Sequence, residues 1–245
     1  MDLSKYDRKH VRIADIYGDT FTGIASYGGC EFLMHEYGGK EEGVFIEDVL
    51  LYRSQIASIE EIEAHGTSEL WTERMVLRRY RPEDAEPLSR LLGADPEMAQ
   101  YSGWNPYATL EAAQDTVRRF IAGYGDEHSY SWVMDVEDNL IGTIGAYDYR
   151  DDRIEVGYSV VRAWQGRGYA TEALKKVLAY LTENEGISCV TAWCAAGNIG
   201  SRRVLEKAGM YLVHTEKGSL TVGDRVYDKM TYEYTLKSGG GESIL

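Results

Sequence analysis

Gln165-Gly166-Arg167-Gly168-Tyr169-Ala170 sets two glycines around an arginine directly ahead of a helical pattern. A strand-like run ending at Val161 leads into it, so several backbone N–H groups collect at a helix N-terminus, where no intrahelical acceptor reaches them. Those free donors and the positive end of the helix dipole suit a phosphate or pyrophosphate. Gly166 and Gly168 let the backbone approach such a ligand closely, and Ala170 keeps bulk out of the first turn.

Two other phosphate-binding patterns do not fit. No G-x-x-x-x-G-K-[ST] occurs in the chain. A dinucleotide fingerprint fails as well: Thr171 stands where its third glycine belongs, and the loop follows a meander of strands instead of opening a βαβ unit.

The elements around the loop follow from periodicity. "MVLRRY" reads as a strand, "RPEDAEPLSRLL" as a helix with Pro82 in its first turn, and "TLEAAQDTVRRFIAGY" as an amphipathic helix with Ala113, Val117, Phe120 and Ile121 on one face. "YSWVMDV", "NLIGTIGAYDY" and "RIEVGYSVV" then form a meander, with Tyr147, Tyr149 and Tyr158 as sheet residues. After the loop, Ala170, Leu174, Val177, Leu178 and Leu181 make a core-facing stripe. "CVTAWCAA" is a further strand, "NIGSRRVLEKAGM" a helix that Asn198 can cap, and "YLVHTEKGSL" with "RVYDKMTYEYTL" a terminal hairpin.

Ahead of these elements the texture differs. Residues 1–66 are short-period and β-like, with "HVRIADIYG", "DTFTGIASYGG" and "GVFIEDVLLYRSQIASI" separated by turn glycines. We therefore expect an α+β chain of two domains, a small all-β barrel over 1–66 and a larger domain over 70–237, with 238–245 as a flexible tail.

Composition excludes several roles. The 245 residues carry 26 Lys/Arg against 40 Asp/Glu, a net charge of −14, which opposes binding to nucleic acid and anionic lipid. Residues 1–66 alone hold six Lys/Arg against 13 Asp/Glu, net −7, so the small block reads as a docking or dimerising module, with a homodimer as one form. No apolar run is long enough to span a membrane, and "MDLSKYDRKH" carries charge where a signal peptide would be apolar, so a cytoplasmic location is expected. Cys30, Cys189 and Cys194 lack metal-ligand spacing and read as reduced thiols. No metal is expected.

Two resemblances add to this reading. "YDRKHVRIADIYGDTFTGIASY" and "VLLYRSQIASIEEIE" resemble the strands of Sm-like, SH3-like small barrels. Gln165 to Ala170 matches the Q/R-x-x-G-x-G/A motif of the GNAT superfamily of acetyl-CoA-dependent N-acetyltransferases, and the order of elements from 72 to 236 is similar to that family's. "WTERMVLRRYRPEDAEPL" and "IEVGYSVVRAWQGRGYATEAL" most resemble the branch that includes the ribosomal-protein alanine acetyltransferases.

The GNAT resemblance implies a mixed, mostly antiparallel twisted sheet flanked by helices, with acetyl-CoA as cosubstrate. It implies that the backbone of Gln165, Gly166, Arg167, Gly168, Tyr169 and Ala170 holds the coenzyme pyrophosphate. The pantetheine arm then runs beside Ser159, Val160 and Val161, where a bulge splays the strand and a free N–H near Val160 polarises the thioester carbonyl. Asn198 contacts the same arm.

Deprotonating an amine needs a base, and Glu155 is the candidate, within a strand whose neighbours suggest burial. An equal alternative is a turn-proximal glutamate paired with Arg153 or solvent. Where many family members place a thiol-protonating tyrosine this chain has Leu205, and Ser201 stands where the ribosomal branch often has a serine; its alternative is a helix-surface serine bonding its own backbone. Trp104 and Tyr107, in an aromatic loop with Asn105 and Pro106, either border the acceptor pocket or pack the core. The acceptor is a primary amine, of a protein N-terminus or a small molecule. The rival reading is a catalytically weak acetyl-CoA-binding sensor whose barrel recruits a partner.

Overall fold

The computed structural model of the protein describes residues 1–46, 49–61, 66–95, 97, 99–101, 105–125 and 128–235. The tail expected at 238–245 lies outside them. The chain divides into two compact units, Met1–Ser68 and Glu69 onward. Among the described residues no helix is long and apolar enough to cross a membrane, and no group of three or more His, Cys, Asp or Glu side chains could hold a metal ion.

The first unit is built on β1 (His10–Asp15), β2 (Thr20–Gly28), β3 (Gly43–Ile46), β4 (Val49–Tyr52) and β5 (Ile56–Glu61). The sheet order is β4-β3-β2-β1-β5. Val11, Ile13, Ala25, Val44, Ile46, Leu51, Ile56 and Ile59 close over Leu3 as its core. Among the described residues the end strands β4 and β5 do not pair with each other, so the sheet is open where a closed barrel was expected.

The unit is also not all-β, because α1 (Cys30–Tyr37) follows β2 directly. Eight residues are too few to register as helical periodicity. What defines α1 is its end, where Gly38 takes the left-handed conformation (φ +68°) and returns its N–H to Leu33 O.

The second unit holds an eight-stranded sheet. Its strands are β6 (Leu70–Trp71), β7 (Val76–Arg78), β8 (Tyr130–Val136), β9 (Asn139–Arg150), β10 (Arg153–Val160), β11 (Cys189–Ala195), β12 (Tyr211–Val222) and β13 (Arg225–Tyr234). They lie in the order β12-β13-β11-β10-β9-β8-β7-β6, and every pairing is antiparallel except β10 with β11.

Helices α2 (Ala85–Leu88) and α3 (Leu110–Ala122) cover one face, where Leu88, Ala113 and Val117 cluster with Val133 and Leu140. Helices α4 (Tyr169–Ala179) and α5 (Ile199–Ala208) pack together on the other, where Tyr180 meets Tyr130 and Trp132 edge-on. The alternation of β8 makes this possible, since Val133 points one way and its neighbours the other.

One buried ion network ties the first face down. Arg78 forks to both oxygens of Asp84 at 2.8 Å each and reaches Asp135 at 2.9 Å. Asp84 also accepts the N–H of Arg81 at 2.7 Å, which anchors the chain turn leading into α2.

Candidate active site

The parallel pair β10–β11 is short. It pairs only Arg153 with Cys189, Ile154 with Val190 and Glu155 with Thr191. Beyond Glu155, β10 continues along β9 as far as Val160, while β11 continues along β13 as far as Ala195. The two strands therefore part after Glu155, while on the other side of β10 the pairing with β9 shifts register between Arg153 and Glu155, where β9 takes three steps to two.

The parted edge carries backbone groups with a definite direction. Val161 N–H donates to Ile141 O at 2.8 Å, and antiparallel alternation places the Ser159 backbone against β9 as well. As backbone donors toward the gap, Ser159 and Val161 are thus corrected: the N–H groups that face it are those of Val160 and Tyr158. Val160 O also faces away from β9 and accepts Gln165 Nε2 at 2.9 Å, which folds the glycine loop back onto the strand end.

The loop itself adopts what its glycines permit. Gly166 (φ +73°) and Gly168 (φ +88°) are both left-handed, a region side-chain-bearing residues avoid. Gly168 is the N-cap of α4, its carbonyl accepting Glu172 N–H at 3.0 Å, and no side chain caps the turn. The first N–H groups of α4, from Tyr169 and Ala170, are thereby left to an external acceptor. The Arg167 guanidinium lies over the Trp164 ring at 5.3 Å.

A brace from the far edge of the sheet steadies this loop. Arg74 donates to Arg167 O at 3.1 Å and to Glu172 at 2.7 Å, and stacks over the Tyr169 ring at 4.4 Å. Thr72 Oγ1 donates to the same carboxylate at 2.6 Å. Burial alone would raise the Glu172 pKa, but the hydrogen bonds from Thr72 and Arg74 outweigh it and hold the carboxyl below its ordinary value. Reading the sequence missed these three residues; nothing local links positions 72 and 74 to 172.

Glu155 sits, half-buried, where the strands separate. Trp193 Nε1 donates to Oε1 at 3.0 Å, and Tyr147 is its register partner on β9. Burial pushes its pKa up, opposed in part by the Trp193 hydrogen bond and the charge of Lys229. Lys229 itself lies over the Trp193 ring at 5.0 Å. Arg153 pairs with Glu233 instead, which removes the reading of Glu155 as that arginine's partner.

Across the gap, Ser201 occupies the first turn of α5. Its N–H donates to Asn198 Oδ1 at 3.0 Å, so Asn198 is the helix cap. Ser201 Oγ lies 3.0 Å and Ser201 O 3.2 Å from the Tyr158 phenol, so the single phenol proton goes to one of these two oxygens. Tyr158 is therefore more than a sheet residue: its side chain spans from the parted strand to α5. Burial raises its pKa above the ordinary phenol value. Burial likewise pushes the nearby Cys194 thiol up to about 11, which keeps it protonated at neutral pH. Leu205 is buried in the core.

The aromatic loop divides. Trp104 lies outside the described residues. Tyr107 is only 3% exposed, and its hydroxyl lies 3.2 Å from that of Tyr80. It is a core residue and not a pocket wall, because its segment is pulled onto Gly93: Asn105 Nδ2 donates to Gly93 O at 3.2 Å, and a Cβ on Gly93 would collide with Tyr107 O. Asn105 and Pro106 do border an open hollow of about 580 Å³ with Thr116 and Arg119 of α3.

Comparison with known proteins agrees with this architecture. The family model described as "Acetyltransferase (GNAT) domain" matches residues 74–211. An uncharacterized N-acetyltransferase, YoaA of Bacillus subtilis, is 31% identical over 144 residues, covering 57% of this chain and 81% of YoaA. The same organism's putative ribosomal N-acetyltransferase YdaF is 25% identical over 177 residues, covering 69% of this chain and 96% of YdaF. Among solved structures, RimL, a ribosomal L7/L12 alpha-N-protein acetyltransferase in complex with coenzyme A, superposes with a TM-score of 0.64 at 16% identity over 69% of this chain and 98% of RimL. The mixed sheet, its parted parallel pair and the family match over residues 74–211 lead to one conclusion: the chain belongs to the GNAT acetyltransferase family and is an acetyl-CoA-dependent acetyltransferase.

Proposed function

We propose that the chain transfers an acetyl group from acetyl-CoA to a primary amine by direct attack within a ternary complex. The observation that carries this reading is the continuity of one surface. The edge of β10 left bare beyond Glu155 runs within a few residues into the uncapped start of α4. A ligand with an extended amide-bearing arm and a pyrophosphate matches both halves, and coenzyme A has that form.

In this reading Gln165 to Ala170 hold the pyrophosphate through backbone N–H groups. Val160 and Tyr158 offer backbone donors to the arm and to the carbonyl that develops negative charge. Acetyl-CoA supplies the activated acyl thioester. Ser201 Oγ, held by the Asn198 cap and accepting the Tyr158 phenol proton, keeps its own proton for the departing sulfur, in the place of the tyrosine that Leu205 replaces. Glu155 takes the proton from the amine. Val160 stands five residues further along the strand, roughly 16 Å at ordinary strand rise and farther than one water spans, so the proton reaches Glu155 along a chain of waters.

A protein N-terminus is the acceptor class favoured by the ribosomal relatives, YdaF and RimL. A small-molecule amine is the second. The buried Leu205 is the feature that favours a binding-only sensor, and the Tyr158–Ser201 pair answers it by providing another hydroxyl.

Calorimetric titration with acetyl-CoA and with desulfo-coenzyme A, followed by acetylation assays on N-terminal peptides and small amines, tests the reading. Saturable binding of both ligands with turnover on one amine class supports it. Binding without turnover on any amine supports the sensor, and no binding overturns both.

A further inference from the structure

The first unit holds a feature that acetyl transfer does not use. Gly28 and Gly43 are cross-strand partners on β2 and β3. A Cβ on Gly28 would stand 2.9 Å from Leu33, and one on Gly43 3.2 Å from it, so these two bare positions form the notch that receives Leu33. Leu33 is the one buried residue of α1. With it turned inward, Phe32, Met34 and Tyr37 are left 52%, 60% and 57% exposed.

The exposed rings are not scattered. Tyr37 stacks obliquely on Phe45 at 5.5 Å, and Phe32 on Tyr37 at 6.2 Å. Together with Ser26, Tyr27 and Gly29 they line an open groove of about 460 Å³. Large apolar surface held out in solvent by a purpose-shaped notch marks a place of contact.

The segments that form the groove carry more acid than base. Residues 26–46 carry Glu31, Glu36, Glu41 and Glu42 against a single Lys40. The Tyr27 hydroxyl on the groove wall donates to Glu42 at 2.8 Å, and the nearby Arg53 is already paired with Glu42 at 3.1 Å. Ring faces attract cations through their quadrupole, and the excess of acidic residues on the segments that form the groove adds a longer-range attraction of the same sign.

We propose that this groove binds an arginine side chain presented by a partner protein. A guanidinium lies flat on aromatic faces and forks to a carboxylate, whereas a lysine ammonium is more strongly hydrated and makes neither contact as well. The unit's net charge of −7 opposes a nucleic acid whose bases might otherwise stack there. The proposal stands apart from the acetyl-transfer reading, and neither depends on the other.

The test uses the full chain, ¹⁵N-labelled, and the blocked peptide acetyl-Gly-Gly-Arg-Gly-Gly-amide, which has no amine to acetylate. Saturable shifts of amides within residues 26–46 are expected, about tenfold weaker with citrulline in place of arginine. Phe32→Ala combined with Tyr37→Ala should weaken binding by a similar factor and leave the spectrum of the second unit unchanged. Four results would each overturn the proposal: no saturable shift, equal binding of the citrulline peptide, undiminished binding by the double variant, or the same amides responding instead to a single-stranded oligonucleotide. Sedimentation adds one more, since self-association abolished by the double variant would mean that a second copy of the chain fills the groove.

Discussion

The Tyr158 phenol on β10 and the Ser201 hydroxyl on α5 lie 3.0 Å apart, joining the strand that parts from β11 to the helix across the gap. If Ser201 donates to the departing sulfur, Ser201→Ala should lower kcat by about 10²-fold while acetyl-CoA affinity changes little. Tyr158→Phe keeps the ring and loses the hydroxyl, so it should lower kcat by a smaller factor. Steady-state kinetics paired with calorimetry separate the two effects. Because burial raises the Tyr158 pKa, no alkaline loss of rate should fall at an ordinary tyrosine value.

Glu155 gives two pH signatures. As the base it must be ionised, so kcat should fall on the acid side around a pKa above 4.5, the ordinary glutamate value, and Glu155→Gln should remove that limb. Its folded pKa is raised, so its stabilising contribution is full below the unfolded pKa and is lost as pH rises through the folded one. Glu155→Gln should therefore gain stability relative to the parent between acidic and neutral pH, read from urea midpoints. A constant difference would mean that the carboxylate titrates normally.

Gly168→Val should weaken acetyl-CoA binding by about tenfold or more, since φ +88° is closed to a β-branched residue at a cost of roughly 1–2 kcal/mol. A Cβ there would also come to 3.4 Å from Arg74 Nη2, against the brace. Calorimetry on the folded variant is the check, and unchanged affinity would remove the phosphate role from the loop.

Asp84→Ala strands Arg78 inside the protein with only Asp135 as a carboxylate partner. Breaking a buried pair in this way costs about 3–5 kcal/mol. Chemical denaturation should show that loss, and a change under about 1 kcal/mol would mean that Arg78 reaches water, as an exposed pair does.

Much of the second unit was legible because its signals are local. The meander, the stripe of Leu174, Val177, Leu178 and Leu181, and the glycine loop between strand and helix all lie within short windows where periodicity and backbone preference act. The first unit was legible as strands but not as an open sheet bearing α1, since eight residues between glycines leave no periodic trace.

The sequence by itself determined the order of the main elements of the second unit and the loop chemistry, because helix period, strand alternation and the conformational freedom of glycine depend on near neighbours. Only the tertiary structure decided which side chains meet. Arg74 reaches Glu172 across 98 positions, Tyr158 reaches Ser201 across 43, and Trp193 reaches Glu155 across 38. It also decided that Tyr107 is core, through a contact at Gly93, and that of three neighbouring residues Val160 alone turns its N–H toward the gap. Such outcomes depend on where the β10–β11 pairing stops and on what packs across it, and no local preference of the chain encodes either.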